Sequence, residues 1–277
     1  MEQREPEEPD EFLLRFHQAH SGCTSGAFSG GRIDGAGSSY DLLVGCAADA
    51  RVDEGMILDL GCGDGYLLEL LVRGGVASSS LLGVDMSDAE LTLARRRPGL
   101  HGARLIEARA QSLPLGDNSV DVVLSHLAWM LMSDVTEVVS EVRRVLRPGG
   151  VFAAVVGGGP KVGDAFELFL DLLAAVVRRA GIRTPRLGDA RCRTRSGLGE
   201  LLGLAAGFER LSVTDHAVDL SGSVDAVWDS LCTVYEMHGL PSNLAVDLRK
   251  QFKEKAEALT VAGRVPCSMF VRQVVAR

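Results

Sequence analysis

Short apolar runs alternate with amphipathic segments from residue 56 onward. The runs have the length of strands, and in the segments between them apolar residues recur every three or four positions, as in helices. This order predicts a parallel sheet covered by helices on both faces, because each parallel strand needs a crossover connection. The predicted strands are MILDL (56–60), SLLGVD (80–85), ARLIEA (103–108), VDVVLSH (120–126) and VFAAVV (151–156), with helices at 66–75, 88–97 and 136–146.

The pattern changes after Gly157, where helices become longer and strands fewer. Two further strands, at 208–220 and 264–276, would complete the sheet. The helices here interrupt the sheet pattern instead of extending it, so we expect a lid over a pocket, built from 12–45, 160–195 and 222–260. The helices are predicted at 165–180, 197–207, 224–239 and 243–260.

The chain begins with an acidic, proline-bearing stretch. Residues 1–11 lack the basic and apolar regions of a secretory signal, so they are predicted to form a disordered leader. The region that follows is predicted as a helix at 11–20 with Phe12 and Phe16 on one face, a loop at 21–39, and a helix at about 40–50 capped by Ser38 or Ser39.

Composition narrows the class of protein. With 277 residues, 46% of them hydrophobic, residues 12–277 can form one domain with a large core. The net charge of −8 gives no overall attraction for nucleic acid or an anionic membrane. The six cysteines contain no C-x-x-C and the six histidines no metal-ligand spacing, so we expect free thiols, a cytoplasmic location and no metal site.

Three glycines at every second position follow the first strand, in ILDLGCGDGYLL (57–68). Glycine permits backbone conformations barred to other residues and lets a ligand approach the chain closely. A dinucleotide fingerprint would need glycine where Tyr66 stands, and the carboxylates of Asp59 and Asp64 would repel a pyrophosphate. Those carboxylates would attract an ammonium or a sulfonium, so the stretch favours S-adenosylmethionine over a dinucleotide.

The second strand ends in LLGVDMSDAEL. At the tip of the neighbouring strand, Asp85 can accept hydrogen bonds from both hydroxyls of a ribose. Met86 is placed to pack on an adenine ring. Ser87 and Glu90 have the S-x-x-E spacing of a capping box, which begins the next helix.

Several segments in this order resemble the class I S-adenosylmethionine-dependent methyltransferases, in particular the small-molecule branch that includes the ubiquinone/menaquinone biosynthesis methyltransferases. The resemblance covers residues 55–157 and is carried by ILDLGCGDG, GVDMS, RAQSLPLGDNSVDVVLSH and RRVLRPGGVFAAV. It implies an α/β fold: a doubly wound, Rossmann-like, mostly parallel seven-stranded sheet with an antiparallel last strand, plus the helical lid. The cofactor-binding core would lie at about 50–157.

The resemblance also implies roles for individual residues. Asp59 and Gly61 would hold the methionine ammonium, Gly63 would lie along the cofactor, and Asp85 would bind the ribose. The adenine would contact Met86 and the amide of Ala110, Ser125 would lie near the methionine moiety, and Tyr40 matches by position an aromatic residue that closes over it.

The adenine segment departs from the family pattern at one position. Where the family often has D-A-x-x-L-P, this chain has Arg109 before Ala110. A guanidinium has no acceptor for the adenine amino group, whereas Gln111 has a carbonyl oxygen that could replace the missing aspartate. Arg109 would then point to solvent or pair with a carboxylate.

The methyl acceptor is expected beyond the fourth strand, in SHLAWMLMSD. His126 is the best-placed candidate base, although it could equally bind the cofactor or cap a helix. Proximity and orientation could supply most of the rate acceleration. Two groups of residues are predicted to line the pocket: residues that follow this strand and residues on one face of the 224–239 helix. These residues are Trp129, Met130, Met132, Trp228 and Tyr235. The alternative for both groups is simple core packing.

The segment 178–195 holds seven arginines. A solvated loop is the ordinary interpretation, and a rim that receives an acidic metabolite or carrier protein is the sharper one.

These features together predict a methyltransferase that acts on a small, hydrophobic metabolite such as a natural-product or quinone-like intermediate. Two alternatives remain open at this stage. One is a macromolecule methyltransferase, and the other is an S-adenosylmethionine-binding fold with a cyclase or scaffold role.

Overall fold

The computed structural model describes residues 8–50, 55–182 and 186–277. One sheet of seven strands runs through this part of the chain, in the order β3-β2-β1-β4-β5-β7-β6. The strands are β1 Ile57–Leu60, β2 Leu81–Asp85, β3 Arg104–Glu107, β4 Val120–His126, β5 Leu146–Pro160, β6 Leu211–Asp219 and β7 Ser268–Ala276.

The sheet confirms the predicted fold class. Pairing is parallel from β3 through β5, and β7 pairs antiparallel with both β5 and β6. The last strand is therefore the antiparallel one, inserted between β5 and β6. The order reverses at β1, whose neighbours are β2 and β4, and in such sheets ligands bind in the crevice beyond the carboxyl ends of these strands.

Helices cover both faces of this sheet. The helices are α1 Pro9–Ala19, α2 Cys23–Phe28, α3 Ser39–Asp49, α4 Tyr66–Arg73, α5 Asp88–Arg95, α6 Val135–Val145, α7 Ala165–Ala180, α8 Arg195–Leu202, α9 Val224–Leu231, α10 Tyr235–His238 and α11 Ser242–Glu257. None of the helices in the described ranges is both long enough and apolar enough to cross a membrane.

Alternation along the central strands supplies two separate cores. In β4, Val122 and Leu124 pack in the core beneath α3 and α4, whereas Val123 packs in the core beneath α6 and α8. All three side chains are fully buried. Burial of an aliphatic side chain of this size stabilises the fold by about 1.5–3 kcal/mol, so the apolar runs that identify the strands also fix the rigid base of the crevice.

The amino-terminal region is more ordered than predicted. Helix α1 begins at Pro9, with Asp10 and Glu11 in its first turn, so the end of the predicted 1–11 leader is helical. Proline and acidic residues suit the first turn of a helix, which accounts for this error. Residues 1–7 lie outside the described part of the chain. The predicted loop at 21–39 contains α2, and Ser38 caps α3 in a capping box with Asp41.

The predicted single helix at 224–239 is also wrong, because it is two helices. Helix α9 ends at Leu231 and α10 begins at Tyr235, after the extended residue Val234. Trp228 and Tyr235 therefore do not share one helical face. Trp228 instead packs with Phe169 of α7 and Phe252 of α11.

Candidate active site

A cavity lies at the carboxyl ends of β1, β2 and β4, where the strand order reverses. Its empty space is about 990 Å³, which includes solvent at its mouth. Residues of α1 and α2 and Tyr235 close it on the side opposite the sheet. Of the predicted lid, the described parts of 12–45 and 222–260 thus contribute to the cavity, whereas no described residue of 160–195 lines it.

The glycine turn after β1 forms the floor of the cavity. Gly61 has a φ of +73°, and a Cβ added to it would lie 2.5 Å from the Cβ of Ala128. Both the backbone conformation and the contact therefore exclude a side chain there. The Gly63 amide donates a hydrogen bond of 2.8 Å to Asp85, whose other oxygen accepts from the Ser87 amide at 2.9 Å. These bonds hold the Asp85 carboxylate at the cavity wall.

Asp59 presents an unpaired carboxylate to the cavity. Its side chain is 2% exposed, and it makes no hydrogen bond or ion pair with a described residue. Burial raises its pKa well above the usual range, and the nearby charges of Asp85 and Asp64 raise it further. Burial also raises the pKa of Asp85, against the two amide bonds that lower it. A buried carboxylate in this position is stabilised by a cationic ligand.

Asp64 is already paired, unlike Asp59. Its carboxylate accepts from the Arg97 guanidinium and, at 2.7 Å, from the Ser25 hydroxyl of α2. Arg97 also pairs with Glu69. The sequence predicted that Asp64 would help attract a cation. Instead, Asp64 is paired with Arg97, and its bond from Ser25 links the glycine turn to the amino-terminal segment.

At the opposite end, Met86, Ala110 and Gln111 line the cavity. The Gln111 amide nitrogen donates to the Ser133 carbonyl at 2.8 Å, and its carbonyl oxygen has no partner among the described residues. That oxygen is therefore free to accept from an adenine amino group. Arg109 pairs with Asp10 of α1, which is one of the two outcomes considered for it.

His126 and Tyr40 form a stacked pair beside Asp59. Their ring centroids are 3.5 Å apart and the rings are nearly parallel, at 17°. His126 Nε2 lies 2.9 Å from the Ser39 hydroxyl, and its Nδ1 is buried without a partner in the described residues. Burial lowers the pKa of His126 to about 3, so the ring is neutral near pH 7.

Four predicted site residues do not line the cavity. The Ser125 hydroxyl donates to the Leu60 carbonyl at 2.8 Å and accepts from the Trp129 amide at 3.1 Å, which ties β4 to β1. Trp129 packs edge-on against Phe152, and the Met130 sulfur accepts from a β5 amide. Trp129 and Trp228 belong to the two hydrophobic cores, and Met130 packs against both cores. Met132 and Tyr235 do line the cavity.

A cluster that the sequence did not indicate lies on the lid side of the cavity. Glu90, 3% exposed, accepts from His17 Nδ1 at 2.8 Å and from the Gly22 amide at 3.0 Å. His17 Nε2 lies 3.2 Å from the Tyr235 hydroxyl. The predicted capping box is therefore only half formed: the Ser87 hydroxyl accepts from the Glu90 amide, but the Glu90 carboxylate faces the lid.

Two arginines of the arginine-rich segment are neutralised locally. Arg191 pairs with Asp189 and Glu200, and Arg195 pairs with Asp215. None of the described arginines of 178–195 lines the cavity, and Arg183 lies outside the described residues. These pairs favour the interpretation as a solvated surface segment.

Comparison with known proteins agrees with this geometry. Residues 58–154 match the family model described as "Methyltransferase domain". The chain is 39% identical over 98 residues to the malonyl-[acyl-carrier protein] O-methyltransferase of Methylococcus capsulatus, which covers 35% of each chain. It is 31% identical over 192 residues to the mitochondrial arginine-hydroxylase NDUFAF5 of Danio rerio, which covers 66% of this chain and 57% of that protein.

Among solved structures, the [4+2]-cyclase SpnF superposes with a TM-score of 0.58 at 20% identity, over 98% of each chain. This likeness concerns the fold alone. The matched segments span only about a third to somewhat more than half of the two curated relatives. Residues 58–154 therefore match a methyltransferase domain, and the sheet order and the glycine turn beside Asp59 and Asp85 agree with that match.

Proposed function

We propose that this protein transfers a methyl group from S-adenosylmethionine to a small, hydrophobic metabolite. The observation that carries the proposal is the unpaired, buried carboxylate of Asp59 beside a turn that excludes side chains. A cation is the natural partner for such a group, and the cofactor offers an ammonium and a sulfonium at one end. Cavities that bind pyrophosphate instead present free amides and positive charge.

Three groups of cavity residues would contact the three parts of the cofactor: the amino-acid end, the ribose and the adenine. Asp59 and the Gly61 turn would hold the amino-acid end, with Tyr40 above it, and Gly63 would lie alongside. Asp85 has one lone pair on each oxygen beyond its amide bonds, and these suit two ribose hydroxyls. Met86, Ala110 and the Gln111 carbonyl would contact the adenine.

When bound, the cofactor supplies a methyl carbon already activated by the sulfonium. The bond from this carbon to sulfur breaks as its bond to the acceptor atom forms. The chain's contribution is to hold the acceptor in line and to exclude water, which can account for most of the acceleration. His126 is a poor general base at neutral pH, because its pKa is lowered to about 3. We therefore assign it to shaping the methionine end of the cavity, with Ser39 and Tyr40.

A small acceptor is favoured over a macromolecule because α1 and α2 close the cavity. The wall next to His126 is apolar, with Leu127, Ala128 and Leu131, which suits a hydrophobic acceptor. The relative that acts on an acyl-carrier protein raises the possibility of a carrier-bound substrate. The position of the described arginines of 178–195 weakens that possibility, because none of them lines the cavity.

A second candidate function is supported by the names of two similar proteins, an arginine-hydroxylase and a [4+2]-cyclase. In this alternative the cavity binds the cofactor but does not transfer its methyl group. The two candidates differ in one product, because only methyl transfer releases S-adenosylhomocysteine.

The test is an incubation with methyl-labelled S-adenosylmethionine and a panel of acceptors: long-chain fatty acids, malonyl thioesters, and phenols or quinols. Appearance of label in an extracted product, with an equal amount of S-adenosylhomocysteine, is expected for at least one hydrophobic acceptor. The Asp59→Asn variant should lose this signal, whereas Asp171→Asn, on an exposed position of α7, should keep it. Cofactor binding without any release of S-adenosylhomocysteine across the panel would favour the second candidate.

A further inference from the structure

Glu90, His17 and Tyr235 form a hydrogen-bonded chain along one wall of the cavity. They come from three distant parts of the sequence, since His17 is 73 positions from Glu90 and 218 positions from Tyr235. Glu90 is 3% exposed and also binds the Gly22 amide, so its carboxylate is fixed. The cluster is neither a helix cap nor a surface ion pair, and the proposed methyl transfer does not use it.

The direction of each hydrogen bond in this cluster follows from the Glu90 carboxylate. An ionised Glu90 can only accept, so His17 Nδ1 carries a proton and donates to it. With its single proton on Nδ1, the ring has its lone pair on Nε2, which then accepts from the Tyr235 hydroxyl at 3.2 Å. Aromatic contacts with Phe16, at 4.6 Å between centroids, hold the Tyr235 ring in place. The phenol is thus a positioned donor at the inner surface of the lid.

The cluster lies at the nucleoside end of the cavity, not at the methionine end. Asp85 is the residue expected to bind the ribose, and Glu90 lies close to it: a Cβ added to Gly63, whose amide donates to Asp85, would lie 3.8 Å from Glu90 Oε2. The charges of Glu90 and Asp85 also contribute to a raised pKa of Tyr235, after burial as the largest cause. The pKa of Tyr40, by contrast, is raised by burial first and then by the charges of Asp64 and Asp59. The cluster is therefore too far toward the ribose to act on a methyl acceptor as a base.

A ribose hydroxyl has one proton to donate and two lone pairs to satisfy. Asp85 can only accept, so it satisfies the proton of each hydroxyl and leaves the lone pairs without a partner. Beneath a closed lid these oxygens are cut off from water, and unsatisfied buried groups are costly. The lid must therefore provide donors, and the Tyr235 hydroxyl is a donor on the lid beside Asp85.

From this complementarity we propose that Tyr235 and His17, positioned by Glu90, form the lid-side half of a ribose site whose other half is Asp85. The inference rests on the proposed cofactor. On binding, the Tyr235 hydroxyl would form a three-centre hydrogen bond, shared between a ribose oxygen and His17 Nε2. Closure of α1 would then depend on a ligand that carries ribose hydroxyls, so the cluster would select ribonucleosides.

The test is titration calorimetry on the intact chain with S-adenosylhomocysteine and its 2′-deoxy and 3′-deoxy analogues. Tyr235→Phe keeps the aromatic contacts and removes only the hydroxyl. We expect it to weaken S-adenosylhomocysteine about 3- to 10-fold, the effect of one hydrogen bond, and to leave the affinity of at least one deoxy analogue unchanged. His17→Asn should behave similarly, and His101→Asn, at an exposed position outside the cavity, should match the wild type.

Three results would overturn the inference, each in a different way. If the wild type binds S-adenosylhomocysteine and Tyr235→Phe binds it equally well, the lid does not contact the ribose. If the variant binds all three ligands more weakly by the same factor, the cluster stabilises lid closure without contacting the ribose hydroxyls. If the wild type does not bind S-adenosylhomocysteine at all, the proposed function fails, and the ribose site with it.

Discussion

Replacement of Asp59 by asparagine should have opposite effects on cofactor affinity and on the stability of the unligated protein. Asparagine has nearly the same shape but carries no charge. A charge-assisted hydrogen bond between a carboxylate and an ammonium contributes about 1.5–3 kcal/mol. Its loss should weaken S-adenosylhomocysteine about 10- to 150-fold, since 1.4 kcal/mol is a factor of ten.

The expected gain in stability follows from the sign of the pKa shift. Burial first, and then Asp85 and Asp64, raise the pKa of Asp59 above its value in the unfolded chain. The folded state therefore resists ionisation, and the free energy of unfolding falls as the pH rises from the usual carboxyl pKa toward the raised one. Each unit of pKa difference contributes about 1.4 kcal/mol. The Asp59→Asn variant avoids this loss, so it should melt higher than the wild type near pH 7.

Thermal denaturation with and without S-adenosylhomocysteine measures both effects. For a chain of this length each kcal/mol corresponds to roughly 2 °C. The unligated variant should melt above the wild type, and the ligand should shift its melting temperature far less. Asp171→Asn should behave as wild type in both arms. An Asp59→Asn protein that binds the ligand normally, or that is less stable without it, would refute the reasoning.

Three further perturbations test other parts of the site. Gly61→Ala should destabilise the fold by about 1–3 kcal/mol in thermal denaturation, because the added Cβ meets Ala128 at 2.5 Å and φ is +73°; normal stability would contradict the described turn. Arg97→Gln should cost about 2 kcal/mol in urea denaturation, because it leaves Asp64 and Glu69 uncompensated; an unchanged midpoint would show that these pairs contribute nothing. For His126 the folded pKa is lowered from 6.5 to about 3, so the contribution of this residue to the free energy of unfolding should fall by about 1.4 kcal/mol per pH unit as pH decreases below 6.5, opposite in sign to the contribution of Asp59; in urea titrations at pH 7, 6 and 5, the free energy of unfolding of the wild type minus that of His126→Asn should show this slope, and a constant difference would contradict it.

The sheet and the floor of the site could be predicted because both depend on local patterns. The strands are contiguous apolar runs, and the turn at Gly61 follows β1 directly, so neighbouring residues specify them. Asp59 and Asp85 stand at strand ends, and parallel strands bring their carboxyl ends to one edge whatever lies between. The position of these residues therefore follows from the strand pattern alone.

A lid was predicted, but its contacts could not be, because they join distant residues. The hydrogen bonds that join His17, Glu90 and Tyr235 carry no signal in the sequence around each residue, because only the folded chain brings the three together. The charge of Asp64 was visible in the sequence, but its neutralisation by Arg97 was not.

Helical periodicity was misleading where a helix breaks. The apolar spacing continues from Trp228 to Tyr235 across the extended residue Val234, and the break turns the two rings to different environments. Trp228 then packs with Phe169 and Phe252, which a pattern within one helix cannot reveal.

The central claim is that an unpaired carboxylate beside a bare glycine turn binds the cationic end of S-adenosylmethionine. Titration calorimetry of the intact protein with S-adenosylmethionine, S-adenosylhomocysteine and NAD⁺ tests it most directly. We predict saturable binding of both adenosyl amino acids with one site per chain and no heat with NAD⁺. Binding of NAD⁺ without any response to the adenosyl amino acids would contradict the account.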